Sequence, residues 1–121
     1  MIKSYRDLIV WQKAHVLVLN IYNIIQKFPA EEKFALISQI RRAAISVPAN
    51  IVEGFRRNGM RDKINFYNYA QSSLDELEYE MFLAQELGYY SNFEALEERI
   101  NEVAKLLSGL IKSIKNSSQA S

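Results

Sequence analysis

Apolar residues recur at helical spacing along almost the whole chain, and their periodicity predicts four helices. The most regular pattern is the last one, in which steps of three and four residues alternate, as in a helix with one buried seam: Phe93, Leu96, Ile100, Val103, Leu107, Leu110 and Ile114. A third helix is predicted from about Asp62 to Leu87, with an inward face that comprises Tyr67, Ala70, Leu74, Leu77, Met81 and Ala84. Gly88 follows it, at a position where a left-handed residue closes a helix.

The first helix, predicted roughly from Asp7 to Phe28, has an apolar surface wider than one bundle needs. A surface helix of a globular protein usually carries an apolar stripe a little over roughly 100° wide. Here only a narrow polar arc interrupts the apolar residues. We therefore expect this helix to bury a second face against another copy of the chain, and we assign to that interface Trp11, Val18, Tyr22 and Ile25.

The second helix is predicted from about Ala30 to Arg57 and contains Pro48. A proline inside a helix removes a backbone hydrogen bond and costs about 3 kcal/mol. The apolar stripe nevertheless stays in phase across it: Leu36, Ile40, Ala44, Val47, Ile51 and Phe55. Because a true break would shift that phase, we predict one helix kinked at Pro48.

Short connections between four long helices predict an all-α fold, an antiparallel four-helix bundle with up-down-up-down topology. The bundle is expected to occupy residues 1–115 as a single domain, and residues 116–121 are expected to form a disordered tail.

Polar residues on the second helix also recur at steps of three and four, so they share one face: Gln39, Arg42, Ser46, Asn50, Glu53 and Arg57. One interpretation is a groove that binds RNA phosphates or a protein partner. The other is structural. In it, Ser46 or Asn50 satisfies the carbonyl of Ala44 that Pro48 leaves free, Arg57 pairs with Glu53, and Arg42 pairs with acidic residues of the third helix. We favour the structural interpretation, because buried polar groups usually satisfy one another.

The segment from Gln39 to Gly54 also resembles a family signature of the form Q-I-R-R-A-x-x-S-x-P-x-N-I-x-E-G. The family consists of small bacterial four-helix-bundle proteins encoded in intervening sequences of 23S rRNA genes. The resemblance extends over most of the chain, and it includes Leu8 to Ala14, Tyr22, Phe28-Pro29 and the segment from Ser73 to Glu78. Val52 departs from the alanine that is usual in the family. The resemblance implies a bundle that forms a homo-oligomer, with a homopentamer preferred, but it implies no particular activity.

Charge is unevenly distributed, although the net charge is only +1. Residues 1–63 hold 11 basic and 5 acidic side chains, whereas residues 64–121 hold 4 and 9. The basic side chains concentrate on and after the second helix: Arg41, Arg42, Arg56, Arg57, Arg61 and Lys63. Related accessory variability proteins of diversity-generating retroelements are similar bundles that are strongly basic and bind nucleic acid. The near-zero net charge departs from them, which lowers the expectation of RNA binding.

Enzymatic chemistry finds little support in the residues. The chain has no cysteine and a single histidine, His15, with no glutamate three positions before it, so it lacks the Glu-x-x-His motif of di-iron bundles. We expect the acidic residues of the third helix to be solvated. We predict no catalytic site, no metal and no cofactor, and we identify no small-molecule substrate. No segment approaches the ~20 apolar residues of a membrane span, and the N-terminus does not read as a secretory signal.

Together these observations favour a cytoplasmic, non-enzymatic scaffold or adaptor that assembles with copies of itself. The alternative is an RNA- or ribosome-associated protein. Its binding residues would lie on the second helix and comprise Arg41, Arg42, Asn50, Glu53, Arg56 and Arg57.

Overall fold

The computed structural model describes residues 1–120, with side chains as far as residue 117, and it contains four α-helices. They are α1 (Ile9–Ile25), α2 (Leu36–Arg56), α3 (Met60–Glu86) and α4 (Phe93–Ala120). Two single 3-10 turns, Tyr5–Asp7 and Ala30–Glu32, precede α1 and α2. No β-strand occurs in the described part of the chain, and the predicted all-α class is confirmed.

Consecutive helices pack against each other, and α1 also packs against α4, which closes the four-helix bundle. The most extensive helix pair is α2 with α3, and the least extensive is α1 with α4. This inequality matters for the sites described below, because a close pair excludes solvent whereas a loose pair leaves room between its helices.

The core comes from the inward faces that the periodicity predicted. The whole inward face of α3 and the first five seam residues of α4 are buried. The predicted stripe of α2 is buried at its centre and half-buried at Leu36 and Phe55. Leu77, Ile100 and Leu107 are each no more than 2% exposed. The residues of α1 that complete this core are Val10, Ala14, Leu17, Ile21 and Ile25.

The N-terminal ends of α1 and α2 lie further along the chain than predicted. Ser4 caps the first 3-10 turn together with Asp7, and Leu8 is extended, so α1 begins only at Ile9. After Pro29 the chain forms a second 3-10 turn, in which Glu32 accepts a 3.0 Å hydrogen bond from the hydroxyl of Tyr89. This long-range contact fixes the turn, and α2 begins only at Leu36.

The other helix ends follow local rules. Gly88 has a φ of +84° and lies directly after α3, as predicted. The amide of Gly88 donates to the carbonyl of Gln85, and that of Tyr89 donates to the carbonyl of Ala84, which is the closing pattern of a Schellman motif. Helix α4 continues to Ala120, and the disordered tail expected for residues 116–121 stays a prediction. Ser121 lies outside the described residues.

Pro48 lies inside α2, and the helix runs through it without interruption, so the prediction of one helix rather than two is confirmed. A bend of the helix axis at Pro48 stays a prediction.

Gly54 allows α2 to lie directly against α3. The backbone of Gly54 is so close to the ring of Tyr67 that a Cβ atom at this position would lie 2.5 Å from a ring carbon. Tyr67 itself is 2% exposed and has no free space to move into. The glycine of the signature segment is therefore required by the helix contact.

Two glycine-to-alanine substitutions should change stability in opposite directions. Gly54→Ala should lower the free energy of unfolding by about 1–3 kcal/mol, because the added methyl group overpacks the α2–α3 contact. Gly109→Ala is the matched control in α4, where an added Cβ meets nothing within 4 Å. It should raise stability by about 0.5–1 kcal/mol, because alanine is the better helix former. Urea denaturation of both variants measures this, and equal effects would contradict the proposed contact.

Candidate functional site

A row of hydrogen-bonded polar side chains lies along the contact between α2 and α3. The hydroxyls of Ser46 and Ser73 are 2.7 Å apart and share a hydrogen bond between the two helices. The amide nitrogen of Asn50 donates to both the hydroxyl and the carbonyl of Ser46, each at 2.9 Å. We expected Ser46 or Asn50 to satisfy the carbonyl of Ala44. The side-chain amide of Asn50 instead donates to Ser46, which lies one helical turn earlier in α2.

The C-terminal end of α2 is held by side chains from both helices. Arg57 forms the predicted ion pair with Glu53 at 2.8 Å, and its guanidinium lies 4.5 Å from the centroid of the Phe66 ring. The Nζ of Lys63 donates to the carbonyls of Gly54 and Phe55, at 3.2 and 2.8 Å. The carbonyl of Gly54 also accepts a 3.3 Å hydrogen bond from the amide of Arg57, and a cation is favoured at this end of the helix dipole.

The arginines of α2 do not gather on one surface. Arg41 stacks over Tyr22 of α1, whereas Arg57 stacks over Phe66 of α3, on the other side of α2. Arg56 lies over Tyr5, in the turn before α1. Arg42 is exposed and has no ion pair among the described side chains, so the pairing predicted for it with acidic residues of α3 is not formed. Three of the four arginines are thus held by aromatic rings of this chain.

Glu80 of α3 is the one charged residue that is buried in the described part of the chain, with 7% of its surface exposed. Its Oε1 atom is inaccessible to solvent and has no hydrogen-bond partner. Burial, reinforced by the negative charge of Glu76, raises the pKa of Glu80 from 4.5 to about 7. An ionised carboxylate without a partner is costly to bury, so a large share of these carboxyl groups is protonated near neutral pH.

Glu80 was expected among solvated acidic residues, and this was wrong. One feature of the sequence indicated that Glu80 is buried. Glu80 follows Ser73 by seven residues, which is two helical turns, so the two side chains project on nearly the same side of α3. Because Ser73 faces α2, an acidic residue two turns further along that side is carried toward α2 as well.

The outer face of α1 carries aromatic and aliphatic side chains. The rings of Trp11 and His15 stack with centroids 5.0 Å apart, and Tyr5 meets Trp11 edge to face at the same distance. Trp11 and Val18 are half-buried, Tyr22 is 36% exposed and Leu19 is 56% exposed.

Ile25 does not belong to this outer face, to which we had assigned it. It is 2% exposed and lies in the core of the single chain, because it follows Ile21 by one helical turn on the inner side of α1. Leu19, which the sequence analysis left out of the interface, is the exposed side chain near Tyr22 instead.

Other kinds of site find no counterpart in the described residues. No three histidine, cysteine, aspartate or glutamate side chains lie close enough together there to hold a metal ion. In the same part of the chain, no helix has the length and apolar character needed to cross a membrane.

The fold and the polar contact between α2 and α3 define a small all-α bundle protein. The family model described as 23S rRNA-intervening sequence protein matches residues 6–109, and the chain belongs to this family. A solved structure with a similar fold comes from Bacteroides thetaiotaomicron and is described as a protein with unknown function from the S23 ribosomal protein family. It is 30% identical, with a TM-score of 0.79, and the match covers 86% of this chain and 96% of that one. Comparison with curated proteins gives no significant match.

The buried carboxyl group should make stability depend on pH. In the unfolded chain Glu80 ionises near pH 4.5, whereas in the folded chain it ionises near pH 7. Glu80 therefore leaves the free energy of unfolding unchanged below about pH 4.5. It lowers that free energy progressively as the pH rises to about 7, and by a constant amount above that. Glu80→Gln removes this penalty, so at pH 8 the variant should be more stable than the wild type by about 3 kcal/mol.

Urea denaturation at pH 5 and pH 8, at one fixed protein concentration, measures this difference. Glu98→Gln is the control for the loss of one negative charge, because Glu98 is exposed on α4. A stability difference between Glu80→Gln and the wild type that is the same at both pH values would contradict the assignment.

Proposed function

We propose that the protein is a non-enzymatic scaffold or adaptor that assembles with copies of itself in the cytoplasm. The observation that carries this proposal is the exposed apolar and aromatic face of α1. Trp11, Val18, Leu19 and Tyr22 lie along one side of the helix and remain partly or largely accessible in the single chain. Contiguous apolar patches of this kind mark interaction sites in soluble proteins.

The distribution of charge supports a second copy as the partner. The first 63 residues carry 11 basic and 5 acidic side chains, and the remaining residues carry 4 and 9. Only two ion pairs form among the described side chains, Lys13 with Glu102 and Arg57 with Glu53. Most of this charge is therefore available to an oppositely charged surface. In a head-to-tail contact, the α1–α2 side of one copy meets the α3–α4 side of the next. Such a contact pairs the basic half of one copy with the acidic half of its neighbour.

Head-to-tail contacts of this kind close into rings when the rotation between copies permits it. Among rings, we prefer a homopentamer, because the family resemblance implies that number. The apolar face of α1 supports an oligomer of some size and does not itself select five copies.

The assembly can be tested by the mass of the particle in solution. Light scattering coupled to size-exclusion chromatography should report several times the chain mass of 14.0 kDa. The double substitution Leu19→Glu with Tyr22→Glu should reduce the mass toward one chain, because it places two charges in the centre of the proposed contact. Helical circular dichroism should remain unchanged, since both side chains lie outside the core.

Phe34→Glu is the matched control, because Phe34 is 89% exposed and lies in the connection before α2, outside the helix faces of the proposed contact. It should leave the mass unchanged. A wild-type protein that is a monodisperse monomer at micromolar concentration would refute the proposal.

The alternative function is an RNA- or ribosome-associated protein that uses the arginines of α2. The observation in its favour is that Arg42 and Arg56 are exposed and make no ion pair in the described part of the chain. Against it stands their arrangement, since Arg41 and Arg57 stack on rings on opposite sides of α2. A single nucleic-acid strand follows a continuous basic surface more readily than two separate ones.

Charge reversal of Arg56 and Arg57 separates the two functions. We expect the double variant Arg56→Glu with Arg57→Glu to lose thermal stability or to dissociate, because Glu53 loses its ion-pair partner and the Tyr5 and Phe66 rings lose their stacked cations. For an RNA-binding protein, the variant instead stays folded and assembled but no longer binds.

Fluorescence anisotropy with single-stranded RNA is the measurement for binding. Affinity carried by phosphate contacts falls with salt, with a logarithmic slope of about −0.7 per contact. Lys112→Glu with Lys115→Glu on α4 is the control with the same change of charge. Micromolar RNA affinity at physiological salt, lost only in the arginine variant, would establish the alternative.

A further inference from the structure

A polar groove lies between α1 and α4, on a side of α1 that differs from the face proposed for assembly. Three neighbouring cavities of about 270, 190 and 100 Å³ form it. The first two share Asn23, Ile24 and Tyr90, and the last two share Asn20 and Arg99, so each cavity adjoins the next. This groove follows the least extensive helix contact in the bundle.

The groove contains a hydrogen-bond donor that the protein does not use. The amide nitrogen of Asn20 is inaccessible to solvent and has no hydrogen-bond partner. A buried donor without an acceptor destabilises the fold, and such groups in native proteins call for an explanation. Asn20 also lines the central cavity, and a rotation of its side chain brings this nitrogen to an acceptor atom placed there.

Positive charge dominates the lining. Lys13 and Glu102 at one end pair with each other at 3.5 Å, which leaves Arg99 in the centre and Lys27 at the other end. Neither of these two forms an ion pair among the side chains that the structure describes. A guanidinium and an amide that face one space offer donors to the oxygens of a single anion, and arginine recognises carboxylate and phosphate groups in a bidentate manner.

The floor of the groove is apolar, and its size limits the ligand. Ile24 and Leu96 line the central cavity beside the polar groups. Pockets for drug-sized ligands usually measure about 300–1,000 Å³. The two larger cavities, at about 270 and 190 Å³, accommodate a smaller molecule.

We propose that this groove binds a small organic anion with a carboxylate or phosphate group. The anionic oxygens accept hydrogen bonds from Arg99 and from Asn20, whose side-chain amide turns toward the cavity on binding, and the apolar part of the molecule packs against Ile24 and Leu96. Lys27 and Asn23 line the adjoining cavity and extend the site toward the α3–α4 connection. This site is independent of the proposed assembly, because the outer face of α1 contributes none of these residues.

Benzoate and phenyl phosphate are suitable probes, because they pair a similar apolar ring with the two anionic groups. Neutral benzamide is the control for the ring alone. Titration calorimetry of the full-length protein, at constant ionic strength, should show saturable binding of at least one anion and none of benzamide. Tighter binding of benzoate identifies carboxylic acids as the ligand class, and tighter binding of phenyl phosphate identifies phosphate esters. In nuclear magnetic resonance spectra, the side-chain amide signals of Asn20 and Asn23 should shift on titration.

Arg99→Gln should weaken binding of the preferred anion roughly tenfold, because it removes the charge-assisted hydrogen bonds. Arg42→Gln, the same change on an exposed arginine of α2, should leave the affinity unchanged. Asn20→Ser provides a second variant if Arg99→Gln does not fold, and it should also weaken binding. Absence of binding by both anions, or binding that these groove variants leave unchanged, would overturn the proposal.

Discussion

The close approach of α2 to α3 is the contact on which the other features of the bundle depend. It requires a residue without a side chain at Gly54, where the ring of Tyr67 occupies the space of a Cβ atom. It also requires that polar groups in the contact be satisfied, which the Ser46–Ser73 hydrogen bond achieves. At its end, Lys63 of α3 binds the last carbonyls of α2 and joins the two helices again. The signature segment is thus used largely for the packing of one helix on another.

This contact uses most of the polar stripe of α2, which supports the structural interpretation of that stripe. Ser46 and Asn50 have partners within the chain, and Glu53 and Arg57 are paired with each other. A side chain that is already hydrogen-bonded must give up that bond before it contacts a ligand, so little free energy remains for recognition. Buried polar atoms without a partner are found elsewhere, at Glu80 of α3 and at Asn20 of α1.

The two unsatisfied groups have different consequences, because their surroundings differ. Glu80 is an acid in a closely packed region next to Glu76, and it can lower its free energy by taking up a proton. Asn20 has no charge to lose, and it lines a cavity that cations also line. The first group therefore links the fold to pH, whereas the second belongs to the ligand site that we propose. The apolar face of α1 is a third open surface, on which the proposed assembly depends.

Much of this fold could be predicted from the sequence by rules that apply within a single helix. The alternation of apolar residues gave the helices and most of the core, because a helix places residues three and four apart on one side. Gly88 marked the end of α3, and the spacing of Glu53 and Arg57 indicated their ion pair. The tertiary structure decided the rest. Only packing shows that Ile25 is used inside the bundle, that Glu80 is buried, and that Tyr89 binds the turn before α2. Periodicity gives the direction of a side chain from its own helix, but burial depends on what the neighbouring helix places opposite it.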